Sequence, residues 1–187
     1  IIFNSKITEL SDKKRVLIVE GGPGTGKSVV AINLLVDILR DDMIALYITK
    51  NLAPREVFYE RLKGKDFTQK YIKNLFKGSA SFKNSKYNEF DALIIDEAHR
   101  LMESDQYKMS ENQVKEIINA AKCSIFFIDK NQRISIQDYG SIEVIEYFAK
   151  EANAEIIRTK LSSQFRCNGS DGYLCFLDNL LGIRETE

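Results

Sequence analysis

The amino-acid sequence predicts an α/β fold, a mainly parallel sheet flanked by helices on both faces. Two observations lead there. Five short apolar runs rich in β-branched residues recur at 15–20, 43–49, 91–96, 123–129 and 155–160. Apolar at consecutive rather than alternate positions, such runs read as strands buried on both faces, which is how parallel strands sit. Between them lie stretches with helical period, at 27–40, 55–77 with a break near Gly64, 111–122 and 141–152. Strand and helix therefore alternate, and that alternation is the signature of a sheet whose strands return to the same edge by helical crossovers.

The first run, Val16-Leu17-Ile18-Val19 between Arg15 and Glu20, stops at a cluster of glycines, and a helix begins near Lys27. The second run, 43–49, leads into the long helical stretch 55–77. A Ser-, Lys- and Asn-rich segment at 78–88 is the sole candidate flexible loop, and it precedes the third run, which ends in two adjacent acids, Asp96 and Glu97. Helix 111–122 then leads to the fourth run and helix 141–152 to the fifth. The chain has two prolines, no internal repeat and no low-complexity tract.

With 187 residues the chain holds one sizeable domain with a real core. Apolar residues make up 44% and charged residues 29%, an ordinary globular composition. Basic and acidic residues balance at 27 each, so net charge points to no partner. The three cysteines, Cys123, Cys167 and Cys175, are odd in number and form no CxxC pair. Neither a disulfide framework nor a zinc ribbon is supported, and a reducing, cytoplasmic setting fits best. No apolar run approaches the roughly 18 residues of a membrane span. The chain begins at Ile1 rather than Met and reads as a piece of something longer.

Gly21-Gly22-Pro23-Gly24-Thr25-Gly26-Lys27-Ser28 fits the pattern GxxxxGK[ST] between a strand and a helix, the context that the pattern requires. Glycines let the backbone turn with positive φ, so successive N–H groups face one phosphate while the following helix adds the positive end of its dipole. Gly22, Gly24, Thr25, Gly26, Lys27 and Ser28 are thus the expected nucleotide-binding residues. Lys27 places a charge between the β- and γ-phosphates, and the Ser28 hydroxyl is offered to Mg²⁺. The third strand adds Asp96 as a second metal residue, through water or directly. Glu97, one position on and at a different bearing, would orient and polarise an attacking water. His99, the single histidine, reads either as a packed side chain or as a coupling residue.

With Asp96-Glu97-Ala98-His99 in place the chain resembles the DEAH-bearing helicases, and two later segments narrow this to superfamily 1. Ile128-Asp129-Lys130-Asn131-Gln132 looks like the GDxxQ motif without its glycine. Leu161-Ser162-Ser163-Gln164-Phe165-Arg166 looks like LxxNYR, with Gln and Phe replacing Asn and Tyr. As a set, GGPGTGKS, IIDEAHR, IDKNQR and LSSQFR are similar to the Schlafen-type DNA/RNA helicase-like domain, over about residues 15–167. The resemblance implies a RecA-like P-loop NTPase lobe at 1–160, with 161–187 as the start of a second lobe or a linker. It implies ATP and Mg²⁺ as cofactors, with ATP over GTP a family expectation. Gln132 would contact the γ-phosphate or the attacking water, Phe165 would stack on the base, and Arg166 would place charge on the transferring phosphoryl group.

Nucleic acid, single-stranded DNA or RNA, is the implied partner. The residues at 49–51 lie where the family meets its nucleic-acid track, so Thr49 and Asn51 are either phosphate contacts or caps of the next helix. From 55 to 90 there are nine basic and four acidic residues with eight interleaved aromatics, a composition suited to phosphate contact and base stacking. Three functions stay open at this point. One is an ATP-hydrolysing lobe of a helicase or translocase, working against a second lobe or fused domain. Another is a nucleotide-operated regulatory switch without translocation. The third is a ring ATPase in which Arg166 acts across subunits.

Overall fold

The computed structural model describes residues 13–49, 74–101, 112–129, 132 and 140–163. The order of elements is β1 (Arg15–Gly21), α1 (Lys27–Arg40), β2 (Ala45–Ile48), β3 (Phe76–Lys77), β4 (Phe90–Ile95), α2 (Gln113–Ala120), β5 (Ala121–Ile128), α3 (Ile142–Glu151) and β6 (Glu155–Leu161). Short 3-10 turns come after β3 at Ser79–Phe82 and after β4 at Ala98–Arg100. The strands form one sheet in the order β3-β2-β4-β5-β1-β6, and every pairing is parallel.

The uninterrupted apolar runs have a direct cause. Successive side chains of a strand point to opposite faces, and here both faces are covered. Val16, Ile18, Leu93, Ile95, Phe126 and Ile128 pack with Val114, Ile117 and Ile118 of α2 and Ile145 and Ala149 of α3. Their neighbours Leu17, Val19, Ala92, Ile94, Ile125 and Phe127 pack with Ala31, Leu34, Leu35 and Ile38 of α1. A polar side chain at either parity is desolvated and needs an internal partner, as buried Ser124 has in the Ile117 carbonyl, so apolar side chains fill most of both faces of these central strands.

Two expectations need correction. Residues 76–77 are not the end of a helix but strand β3, because Phe76 pairs with Tyr47 and packs its ring against that of Tyr47 at 5.4 Å. A buried cross-strand contact outweighs helical period there; residues 74–75 are helical as expected, and 55–73 lie outside the described residues. The run at 155–160 is a strand, but it is not buried on both faces. β6 is last in the described sheet and pairs only with β1, so its side chains are exposed or half-buried and none is fully buried.

Lys14, just ahead of β1, ties the helix layer to the sheet. It is buried, and its ammonium donates to the carbonyls of Ile118 (2.7 Å), Asn119 (3.3 Å) and Ala121 and to Asn88 Oδ1, with the Tyr87 ring 4.4 Å away. These carbonyls close α2, where a helix leaves acceptors unmet and its dipole favours a cation. Burial pushes the Lys14 ammonium down to about 8.

Parallel pairing has one consequence for function: all strands end at the same edge. Glu20 is level with Ile128, and Ile95 with Phe126. The residues just past β1, β4 and β5 therefore gather in one place, the edge where open α/β sheets carry their ligands.

Candidate functional site

The site begins where β1 stops. A Cβ at Gly21 would stand 2.5 Å from Thr25 Oγ1, so no side chain fits under the returning loop. Gly24 and Gly26 have φ of 78° and 80°, left-handed values that glycine adopts without strain. At Gly22 a Cβ would meet nothing within 4 Å. The Thr25 hydroxyl donates to the Gly22 carbonyl at 2.9 Å and braces the loop on itself.

α1 opens at Gly26 with no side-chain cap and no acid in its first turn. The other two α-helices among the described elements differ: Asn112 caps α2 through the Val114 N–H (2.8 Å) and Ser141 caps α3 through the Val144 N–H (3.4 Å). Uncapped first-turn N–H groups and the positive dipole end make the start of α1 an anion-binding terminus. Lys27, its first residue, is anchored by the loop: Nζ donates to the Gly21 carbonyl at 2.7 Å and the Gly22 carbonyl at 2.8 Å, 3.7 Å from Asp129 Oδ2. Asp129 comes directly after β5 and is buried.

The carboxylate of Asp96, just past β4, is the hub. Ser28 Oγ and the Tyr47 hydroxyl each donate to Asp96 Oδ2 at 2.7 Å, and the Glu97 N–H donates to Oδ1 at 3.0 Å. Tyr47 holds its proton firmly: burial first, then the negative charge of Asp96 and the hydrogen bond to it, push the phenol well above its ordinary range. Glu97 sits at φ 52°, ψ 45°, a conformation that costs a non-glycine residue about 1–2 kcal/mol. Its Oε2 lies 3.4 Å from Arg100 Nη1, and both side chains are about one-third exposed. His99 is buried in the 3-10 turn that comes next.

These groups line a cleft of about 350 Å³, walled by Pro23, Gly24, Gly26, Lys27, Ser28, Val29, Asp96, Glu97, His99 and Gln132. Gly24, Gly26, Lys27, Ser28, Asp96, Glu97 and Gln132 are thus brought together from separate parts of the chain. Gly22 and Thr25 belong to the loop without lining the cleft. Phe165 and Arg166 lie outside the described residues. Thr49 is 1% exposed, so its side chain is enclosed rather than offered to nucleic acid, and Asn51 lies outside the described residues. Of the aromatics between 74 and 90, Phe76 and Phe82 are core, Phe90 packs on Phe82 at 5.9 Å, and the exposed Tyr87 faces Lys14. In that part of the segment the core therefore takes Phe76 and Phe82, and Tyr87 remains exposed.

The arrangement can hold an oxyanion against the loop and the start of α1, and a cation against Ser28 and Asp96. Both of these are hard oxygen donors. Among the described residues no group of three or more His, Cys, Asp or Glu side chains could hold a metal. Two oxygens are the partial set that magnesium takes when phosphates and waters complete its shell, so the residues present fit Mg²⁺ carried by a nucleotide.

Sequence reasoning gave Tyr47 and Gly140 no role, and Asp129 only a place in the GDxxQ-like segment. A lone tyrosine in an apolar strand reads as core, and only the pairing of β2 with β4 sets its hydroxyl beside Asp96. Gly140 meets the turn after Glu97 so closely that a Cβ there would stand 1.7 Å from the Ala98 carbonyl oxygen. No pattern of neighbouring residues announces a contact between two main chains.

Comparison with known proteins adds the family. The family described as Schlafen group 3, DNA/RNA helicase domain matches residues 14–187. Over 74 residues the chain is 34% identical to the uncharacterized ATP-dependent helicase MG140 of Mycoplasma genitalium, covering 40% of this chain and 6% of that protein. Among solved structures it is similar to the flagellar accessory protein FlaH of Methanocaldococcus jannaschii (15% identity, TM-score 0.49, 84% of this chain and 76% of that one). It is also similar to the Hef helicase domain of Pyrococcus furiosus (15% identity, TM-score 0.46, 87% and 38%). Likenesses this distant leave the fold to rest on the sheet order itself. Among the described residues no helix is long and apolar enough to cross a membrane.

Proposed function

Since the chain belongs to the Schlafen group 3 DNA/RNA helicase domain family, we propose that it binds ATP with Mg²⁺ in the cleft at Gly21–Ser28 and hydrolyses it. It does so as one lobe of a superfamily 1-like DNA or RNA helicase or translocase. The observation that carries this reading is the convergence on one cleft of a left-handed glycine loop, Lys27, the Ser28–Asp96 pair at 2.7 Å, and Glu97.

The residues divide the work. The loop N–H groups and the uncapped start of α1 hold the phosphates, and Lys27 sets its charge against the β–γ bridge. Ser28 and Asp96 hold Mg²⁺, which supplies neutralisation of the charge that builds on the phosphate oxygens. Glu97 orients the water that attacks the γ-phosphorus and takes its proton. Gln132 reaches the γ-phosphate or that water from the end of β5. Phe165 stacks on the base, and Arg166 brings a second positive charge to the transferring group. A partner lobe or fused domain moves against this one, and single-stranded DNA or RNA runs across both. Residues 1–160 form the NTPase lobe and 161–187 lead out of it.

The Glu97–Arg100 contact at 3.4 Å favours a second reading, a regulatory switch that hydrolyses slowly, since Arg100 holds the Glu97 carboxylate against its own turn. One set of assays separates the readings. Lys27→Ala abolishes binding of a fluorescent ATP analogue, and Glu97→Gln keeps binding but loses turnover. Single-stranded DNA or RNA stimulates the ATPase of the full-length protein. Equal turnover by Glu97→Gln and the parent removes Glu97 from the base role, and absence of stimulation by either nucleic acid selects the switch.

A further inference from the structure

Tyr47 stands apart from the other aromatic residues of the core. Its ring is fully enclosed against Phe76, a place that phenylalanine would fill equally well. The hydroxyl adds a polar atom to an apolar layer, which is unfavourable unless it is bonded. It is bonded to Asp96 Oδ2 at 2.7 Å, the same oxygen that accepts from Ser28. β2 holds Asp96 a second time through its main chain, because the Asp96 N–H donates to the Ile48 carbonyl at 2.9 Å. An aspartate's terminal torsion is broad and roughly two-fold, so a carboxylate with one donor has rotational freedom. With Ser28, Tyr47 and the Glu97 N–H, three of its roughly four acceptor positions are filled.

We propose that Tyr47 is a positioning residue for the metal site: its hydroxyl fixes the Asp96 carboxylate against Ser28, so that the two oxygens are preset for the nucleotide-borne Mg²⁺. This rests on the nucleotide reading above and goes beyond it by giving β2 a part in the site. Tyr47 is not among the residues that wall the cleft, and it acts through Asp96. Hydrogen bonds to a charged group are worth more than neutral ones, so the effect of losing the hydroxyl is measurable.

The test is equilibrium binding of a fluorescent ATP analogue while Mg²⁺ is titrated, in the parent and in Tyr47→Phe. The Mg²⁺ concentration for half-maximal effect rises five- to tenfold in Tyr47→Phe, while affinity measured in a chelator stays within twofold. A merely structural tyrosine would shift both together or neither. In the Asp96→Asn background, adding Tyr47→Phe changes the Mg²⁺ dependence no further; an additive change overturns the proposal. An unchanged Mg²⁺ midpoint in folded Tyr47→Phe overturns it too, as does a Tyr47→Phe chain that fails to fold. Parent binding that ignores Mg²⁺ altogether sinks the nucleotide–metal reading, and the role of Tyr47 goes with it.

Discussion

Gly140 offers the sharpest check on how the site is built. In Gly140→Ala the new methyl would sit 1.7 Å from the Ala98 carbonyl oxygen, 2.7 Å from its carbon and 3.1 Å from His99 Cα. All three obstacles are main chain, so no side-chain rotation relieves them, and ordinary carbon contacts lie at about 3.5–4.0 Å. Ala98 and His99 are themselves buried, which blocks an outward shift of the turn. Overpacking of this kind costs about 1–3 kcal/mol, and a main-chain clash belongs at the upper end. About 3 kcal/mol lowers the melting temperature of a domain of this size by roughly 6–12 °C. The strain falls on the contact with the turn that follows Glu97, so turnover falls more than nucleotide affinity. Differential scanning fluorimetry and a coupled ATPase assay read both effects. Gly78→Ala is the control, because its Cβ meets nothing within 4 Å and its φ is −82°. A Gly140→Ala protein that melts within about 2 °C of the Gly78→Ala control would refute the close approach of these two segments.

Other outcomes rest on the same kind of contact. Because burial lowers the Lys14 ammonium to about 8, the unfolded chain keeps a proton that the folded chain has released between about pH 8 and 10.5; stability therefore rises with pH in that window. Burial pushes the Cys123 thiol up to about 12 from 9.0, which opposes the rise above about pH 9. The urea midpoint thus increases from pH 8 to 9 in the parent and stays flat in Lys14→Met; equal slopes would remove Lys14 as the cause. Arg100→Ala releases Glu97 from a partly exposed ion pair worth at most about 1 kcal/mol, so basal ATPase rises by up to about fivefold; a fall in rate would show that Arg100 serves the reaction. Asn112→Ala, which breaks a 2.8 Å cap, costs about 1 kcal/mol or more in urea unfolding, and Ser141→Ala, with its 3.4 Å bond, costs less. The reverse order would contradict the capping geometry.

The sequence by itself determined the alternation of strand and helix and the glycine loop that ends the first strand. These are local facts. Apolar runs at 15–20, 91–96 and 123–129 could be read because a strand covered on both faces disfavours polar residues at either parity. Gly24 and Gly26 could be read because their φ values disfavour side chains wherever the rest of the chain lies. The adjacency of Ser28 and Asp96, sixty-eight positions apart, was legible from their motifs, and the 2.7 Å between them is what parallel strands ending at one edge produce.

Only the tertiary structure decided the remainder. Tyr47 is indistinguishable from a core aromatic until β2 pairs with β4, and Phe76 keeps a helical spacing until it meets Tyr47 across the sheet. The 155–160 run looks like an interior strand until the sheet order puts it last. Lys14 is one lysine among many until three carbonyls at the end of α2 close around it. In each case the deciding contact joins residues distant in sequence, and its energy depends on burial, which no local pattern contains.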